Sequence, residues 1–426
     1  MITKRTSVAA AVCGIALVAS LTACSGGSSS GSGDSELTVL SLMTKGTSGG
    51  DVFHAQVKAF EKETGIKVKV VDASQDIDQI FETSVAADSQ ADIVAVNLFD
   101  KTTSWLENGI TLDATDYAAD WDLESGWVPE AVSDWTAPDG KLRGFPYSGF
   151  SWPILYNTTL LQEAGVDGIP QTIDELIDAA AKLRAAGITP WVNGGSDWNG
   201  SKLFSQFAQL YTDADETKTL QTEGGYCASD NAMKGIDTFI KVRDGGVFVD
   251  NIQGYTVDMA QSDYFEGKAA IMSNASWMFS EIPDDVLEGT ELGGLPLPDG
   301  AAADKPTIYQ AYTGAGFMLS TKAESKIDEV EKFVKFFNEP QVAETFVSEA
   351  SSVLALSDPA ISAVATNKLL KAAQSTLLDE TEIAVLPDLQ VPATASANVD
   401  KAAAQAFGPG VDANTICGAL DAAYNG

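Results

Sequence analysis

Residues 36–72 read "ELTVLSLMTKGTSGGDVFHAQVKAFEKETGIKVKVVD", and the fold class turns on how this stretch changes its period. Glu36 to Leu42 is a β-rich apolar run, followed by a Gly/Ser/Thr loop at 43–50. From Asp51 to Thr64 the apolar side chains Val52, Phe53, Val57 and Phe60 fall on roughly one helical face, and Gly65 supplies the stop. Ile66, Val68 and Val70 then alternate with Lys67 and Lys69, so 66–72 is a strand with one wet side or an edge strand. A helical stretch at 77–87 leads into "ADIVAVN" (91–97), an apolar strand. Strand, helix, strand, helix, strand predicts a parallel α/β unit.

Downstream, residues 105–139 are aromatic and acidic with helical patches, and "GKLRGFPYSGFSWPILYN" (140–157) reads as two extended segments meeting. A second α/β section follows. Thr172 and Glu175 form a capping box ahead of Ile173, Leu176, Ile177, Ala180 and Leu183 at helical spacing. "YFEGKAAIMSNASWMF" (264–279) is a helix end, a tight Gly267, a buried strand and a new helix start. Residues 324–338 are amphipathic with a stop at Pro340, and the Ala-rich remainder is expected to be helical. No internal repeat is present.

With 45% hydrophobic residues and 15 prolines in 426, a large ordered core is expected, in two or three domains. The formal charge of -34, from 26 basic and 60 acidic residues, is scattered along the chain. Its field repels nucleic acid and anionic lipid headgroups, and suits an uncharged or cationic small ligand.

Lys4 and Arg5 precede the apolar stretch 8–21, which is short for the ~20 residues of a membrane span and has the form of a signal peptide. Leu21-Thr22-Ala23-Cys24 resembles the bacterial lipobox, in which the Cys24 thiol takes a diacylglyceryl group after cleavage; an ordinary cleavage site is the alternative. Residues 1–23 are thus expected as a lipoprotein signal peptide, and 24–35 as the lipidated Cys24 and a Gly/Ser linker of roughly 15–20 Å reach. Attachment to the outer face of the cell membrane would be through lipid alone. Cys227 and Cys417, in an exported chain, read as a disulfide, with two separate buried thiols as the alternative.

Catalytic chemistry is poorly supplied. His54 is the single histidine and sits within a helical pattern, so a His-based metal cluster is excluded. The motifs of a nucleophile elbow, a zinc protease, a P-loop and a C-x-x-C redox pair are all missing. No cofactor is expected. "DWDLES" (120–125) lacks the glycine and the distal glutamate of a calcium loop. The tryptophans say more. "SDWNG" (196–200) and "SNASW" (273–277) set Trp198 and Trp277 among small polar residues, and Trp152 lies near another strand end. A sugar offers apolar C–H faces and a hydroxyl rim, so flat rings beside short donor–acceptor groups suit it. Trp105, Trp121, Trp127 and Trp135 are read as structural.

Six stations in order carry a family resemblance: "VKAFEKETGIKVKVV" (57–71), "ADIVAVN", "DGKLRGFPYSGFSWPILYNTTLLQEAGV" (139–166), "IPQTIDEL" (169–176), "YFEGKAAIMSNASW" (264–277) and "GAGFMLS" (314–320). Together they resemble the sugar-binding family of ABC-importer solute-binding lipoproteins that includes maltose-binding protein. The resemblance implies an α/β, two-lobed periplasmic-binding-protein-like fold with a hinge, the lobes being 36–148 with 315–352 and 149–314 with 353–426. It implies ligand captured in the cleft and handed to the transmembrane subunits of an ABC permease. It also points to the loop carrying Lys45 and Thr47, to Asn97, Ser148, Phe150 and Asn274, to Trp277 as a stacking ring, and to Tyr312 and Gly314 on the return crossing. Phe150 departs from the family pattern, where a polar residue contacts sugar. The expected protein is a monomeric carbohydrate binder, an oligosaccharide being the favoured ligand. A polyol or polyamine binder and a surface glycan hydrolase are the alternatives.

Overall fold

The computed structural model describes residues 36–73 and 76–425; the expected signal peptide, Cys24 and the linker lie outside these residues. The strands are β1 (Glu36–Ser41), β2 (Lys67–Asp72), β3 (Ile93–Val96), β4 (Phe145–Trp152), β5 (Ile154–Asn157), β6 (Thr189–Val192), β7 (Ala269–Ser273), β8 (Thr290–Gly293), β9 (Thr307–Leu319), β10 (Val353–Leu354) and β11 (Glu382–Ile383). Among the described residues one sheet runs β10-β4-β9-β3-β1-β2, with β11 against β9, and a second runs β6-β7-β5-β8.

The opening stretch folds as its periodicity dictates. β1 pairs in parallel with both β2 and β3. β2 is the sheet edge, with Lys67 and Lys69 exposed, a charge pattern that discourages a further strand from adding. The intervening helix, Ser48–Thr64, starts three residues earlier than the periodicity predicts, because the Thr47 side chain accepts from the Gly50 N–H (3.1 Å) and caps it. Gly65 ends the helix in the left-handed region, at φ 75°. The sheet as a whole is mixed, since β9 returns antiparallel to β3 and β4.

The station at 314–319 forms the second half of the 13-residue β9. One further expectation is refined. Pro340 does not stop the preceding helix, which ends at Phe337; it opens the next one, Pro340–Ala350, at a position where a missing N–H costs nothing.

Each sheet carries its own aromatic packing. Phe60, Phe333, Phe337 and Phe317 interlock beside the first, with ring centroids 4.7–5.7 Å apart. Phe204, Phe207, Phe239, Phe248 and Phe407 do so beside the second. Trp105, Trp121, Trp127 and Trp135 are all buried. Cys227 and Cys417 are joined as a disulfide with Cα atoms 5.0 Å apart, which ties the helix Ala413–Ala423 to the middle of the chain. Asp421 on that helix accepts from the backbone N–H groups of Gly225 and Tyr226. No helix among the described residues is long and apolar enough to cross a membrane.

Candidate functional site

Only Pro153 separates β4, in the first sheet, from β5, in the second, so the chain passes between the sheets at one proline. β9 returns beside β4. Its register slips between the pairs Phe150–Ala311 and Ser148–Ala315, which leaves Tyr312, Thr313 and Gly314 bulged out of the ladder. The backbone groups this frees are taken up elsewhere. The Tyr312 N–H donates to Asp134 Oδ2 (2.8 Å), its carbonyl accepts from Trp135 Nε1 (2.7 Å), and the Thr313 carbonyl accepts from the Leu98 N–H (2.9 Å). Burial pushes the Asp134 carboxyl above the usual carboxylate range, against the lowering effect of that backbone bond. At Gly149 a Cβ would run into the Ala311 carbonyl, so the close pairing of the crossing strands needs glycine there.

Above the crossing stand four rings. Trp152 ends β4 and is anchored by Nε1 donating to Ser273 Oγ (3.0 Å). Trp277 meets it edge to face at 5.5 Å and meets Phe150 at 5.4 Å; Trp198 meets Trp152 at 5.6 Å. Trp198 opens the helix Trp198–Ala208, whose cap Asp197 accepts from the Asn199 and Val257 N–H groups. Trp277 lies on the short 3-10 turn Ser276–Glu281 directly after β7 and is 41% exposed, whereas Trp152 is 1% exposed. Trp277 therefore presents free ring surface while Trp152 is its support.

These rings line a cavity of about 660 Å³ between the two sheets, inside the ~300–1,000 Å³ range of small-molecule sites. Of the residues singled out in the sequence, Thr47, Asn97, Ser148, Phe150, Trp152, Trp198, Trp277 and Gly314 line it. Three others do not. Lys45 is exposed on its loop. Asn274 is buried with Oδ1 accepting from the Ala275 N–H. Tyr312 lies behind the crossing, packed against the first core. Ser280 Oγ donates (3.1 Å) to the Oγ of Ser48, which lines the cavity.

The charged groups of the cavity went unread in the sequence: Lys202, Glu281, Asp388 and Asp400. Lys202 is ion-paired with Asp388 and holds Nζ 5.6 Å from the Trp152 ring centre and 6.0 Å from that of Trp198. Asp400 is pushed up by burial and by Asp388, though the Ser201 hydroxyl and Lys202 pull it down. Burial likewise raises Glu281. Asp388 and Asp400 come from the Ala-rich C-terminal stretch, Asp388 on the turn Pro387–Leu389 and Asp400 on the helix Ala393–Ala406 that follows Pro392. That stretch is held by Gln209, whose side chain bonds both the N–H and the carbonyl of Val385.

A ligand-sized cleft between two α/β sheets, floored by a pair of crossing strands, defines a solute receptor of the periplasmic-binding-protein class. The chain belongs to the bacterial extracellular solute-binding protein family, whose model matches residues 44–344. It is a solute-binding protein of ABC import and not an enzyme. Among solved structures it is similar to a probable secreted solute-binding lipoprotein from Streptomyces coelicolor, at 38% identity and a TM-score of 0.80, over 93% of this chain and all of that one. It shares its fold with the maltose/maltodextrin-binding domain from Bdellovibrio bacteriovorus bound to maltotriose, at 15% identity and a TM-score of 0.72, over 92% and 98% of the two chains. In sequence it is 22% identical over 289 residues to an sn-glycerol-3-phosphate-binding periplasmic protein of Brucella abortus (strain 2308), covering 54% of this chain and 67% of that one.

Proposed function

We propose that the solute is a carbohydrate, a short oligosaccharide in preference to a monosaccharide. The observation that carries this reading is the cluster of Phe150, Trp152, Trp198 and Trp277, with the Trp277 face open to the cavity. An aromatic face takes the C–H side of a pyranose, while Thr47, Asn97, Ser148, Lys202 and the carboxylates take its hydroxyls. The fold shared with a maltotriose-bound domain supports it further. An anionic solute such as glycerol phosphate, bound by the Brucella abortus relative, suits the site poorly, because the cavity sets three carboxylates against one ammonium.

In the same proposal Cys24 carries the lipid anchor, and the lobes are 36–148 with 315–352 and 149–314 with 353–426. They close about the crossing strands and deliver the sugar to a membrane permease. Titration with mono- and oligosaccharides, followed by tryptophan fluorescence and melting temperature, tests the ligand class. At least one oligosaccharide should raise the melting temperature in proportion to the logarithm of its concentration; a full panel without a shift overturns the carbohydrate reading.

A further inference from the structure

The charge balance of the cavity goes further than its shape. Lys202 meets Asp388, which among the described residues leaves Asp400 and Glu281 without an ammonium or guanidinium ion pair of their own. Both still face a cavity walled by aromatic rings. The Lys202 ammonium, poised at 5.6 and 6.0 Å over the Trp152 and Trp198 rings and against Asp388, shows that this corner already accommodates a cation.

We propose that the transported carbohydrate bears a basic amine, an amino sugar unit with its nitrogen protonated, and that Asp400 and Glu281 select it. The inference rests on the carbohydrate reading above and names the substrate class within it. Its physics is that of charge compensation. A neutral sugar that displaces water from half-buried Asp400 and exposed Glu281 offers them only hydroxyls, whereas an ammonium supplies the missing positive charge and a partner for the ring faces. The groups facing Asp400 are Ser201 and Lys202 from the helix Trp198–Ala208 and Asp388 from the turn Pro387–Leu389. Lys202 thus supplies one positive charge against the two negative ones of Asp388 and Asp400. The scattered charge of -34 draws a cation towards the protein as well. Asp388 and Asp400 lie beyond residues 44–344, so this part of the cavity wall is built by sequence that the family model does not match.

The test compares glucosamine and its short oligomers with glucose, N-acetylglucosamine and their oligomers of equal length, titrated into the full-length protein and followed by calorimetry. The amine-bearing member of each matched set should bind about tenfold more tightly or better. Asp400→Asn should erase that ratio, and Lys202→Gln, by freeing Asp388, should enlarge it. The opposite signs separate a charge effect from a general loss of folding. Equal or tighter binding of the neutral sugars overturns the amine inference and leaves the carbohydrate reading standing. Binding of spermidine above every sugar overturns the carbohydrate reading while retaining cation selection, and silence from the whole panel overturns both.

Discussion

At the scale of single residues, the two central tryptophans part company. Trp277→Ala removes an exposed ring, so it should weaken sugar binding by about tenfold or more while shifting stability by less than roughly 1 kcal/mol. Trp152→Ala removes a buried ring and strands the Ser273 hydroxyl, so it should cost about 3–5 kcal/mol in urea unfolding. Asp134 is a case for pH. Its carboxyl is raised in the folded protein, so the folded state holds its proton longer than the unfolded chain does. This group's contribution is therefore greatest below the ordinary carboxylate value and is lost as pH rises through the raised one. Asp134→Asn keeps an acceptor for the Tyr312 N–H and should flatten that fall, as read by urea midpoints at pH 4 and pH 7. What the sequence made legible at this scale was the set of rings, because "SDWNG" and "SNASW" declare themselves by local composition. Asp388 and Asp400 did not, since they are two of sixty acids and only tertiary contact with Lys202 distinguishes them.

At the scale of elements, local rules were read almost directly. The capping box at Thr172 forms as its spacing requires, with Glu175 N–H donating to Thr172 Oγ1 (3.2 Å) and the Glu175 carboxylate accepting from the Thr172 N–H (3.2 Å). Thr172→Ala should cost about 0.5–2 kcal/mol in denaturant unfolding and leave ligand affinity unchanged, because that helix is remote from the cavity. The bulge in β9 was beyond such rules. A register slip depends on the partner strand, and nothing within "QAYTGAG" (310–316) says that Tyr312 will be held by Asp134 and Trp135 instead of by β4. The resemblance pointed to Tyr312 on the return crossing, and the bulge there puts Tyr312 against the first core while Gly314 lines the cavity. Asn274 is likewise placed by local structure: it is buried beside the cavity lining, with its side-chain oxygen accepting from the next N–H.

For the whole molecule, the disulfide closes a separation of 190 residues. The double variant Cys227→Ser with Cys417→Ser should lose about 4–5 kcal/mol by the loop-entropy argument, seen as a lower melting temperature under non-reducing conditions. Helix Ala413–Ala423 would then be held to the chain's middle by packing, by the Asp421 hydrogen bonds and by Tyr424 Oη donating to the Gln221 carbonyl. The pairing was legible because only two cysteines follow residue 24. The four-ring cluster above the crossing strands has an optical consequence. Three indoles with centroids 5.5–6.5 Å apart, two of the pairs almost perpendicular, are close enough for their excited states to mix. The near-ultraviolet circular dichroism of this protein should therefore be dominated by one small region that also lines its cargo space. Occupancy would register as a change in the sign or amplitude of that signal, giving the protein a built-in, label-free gauge of its own loading.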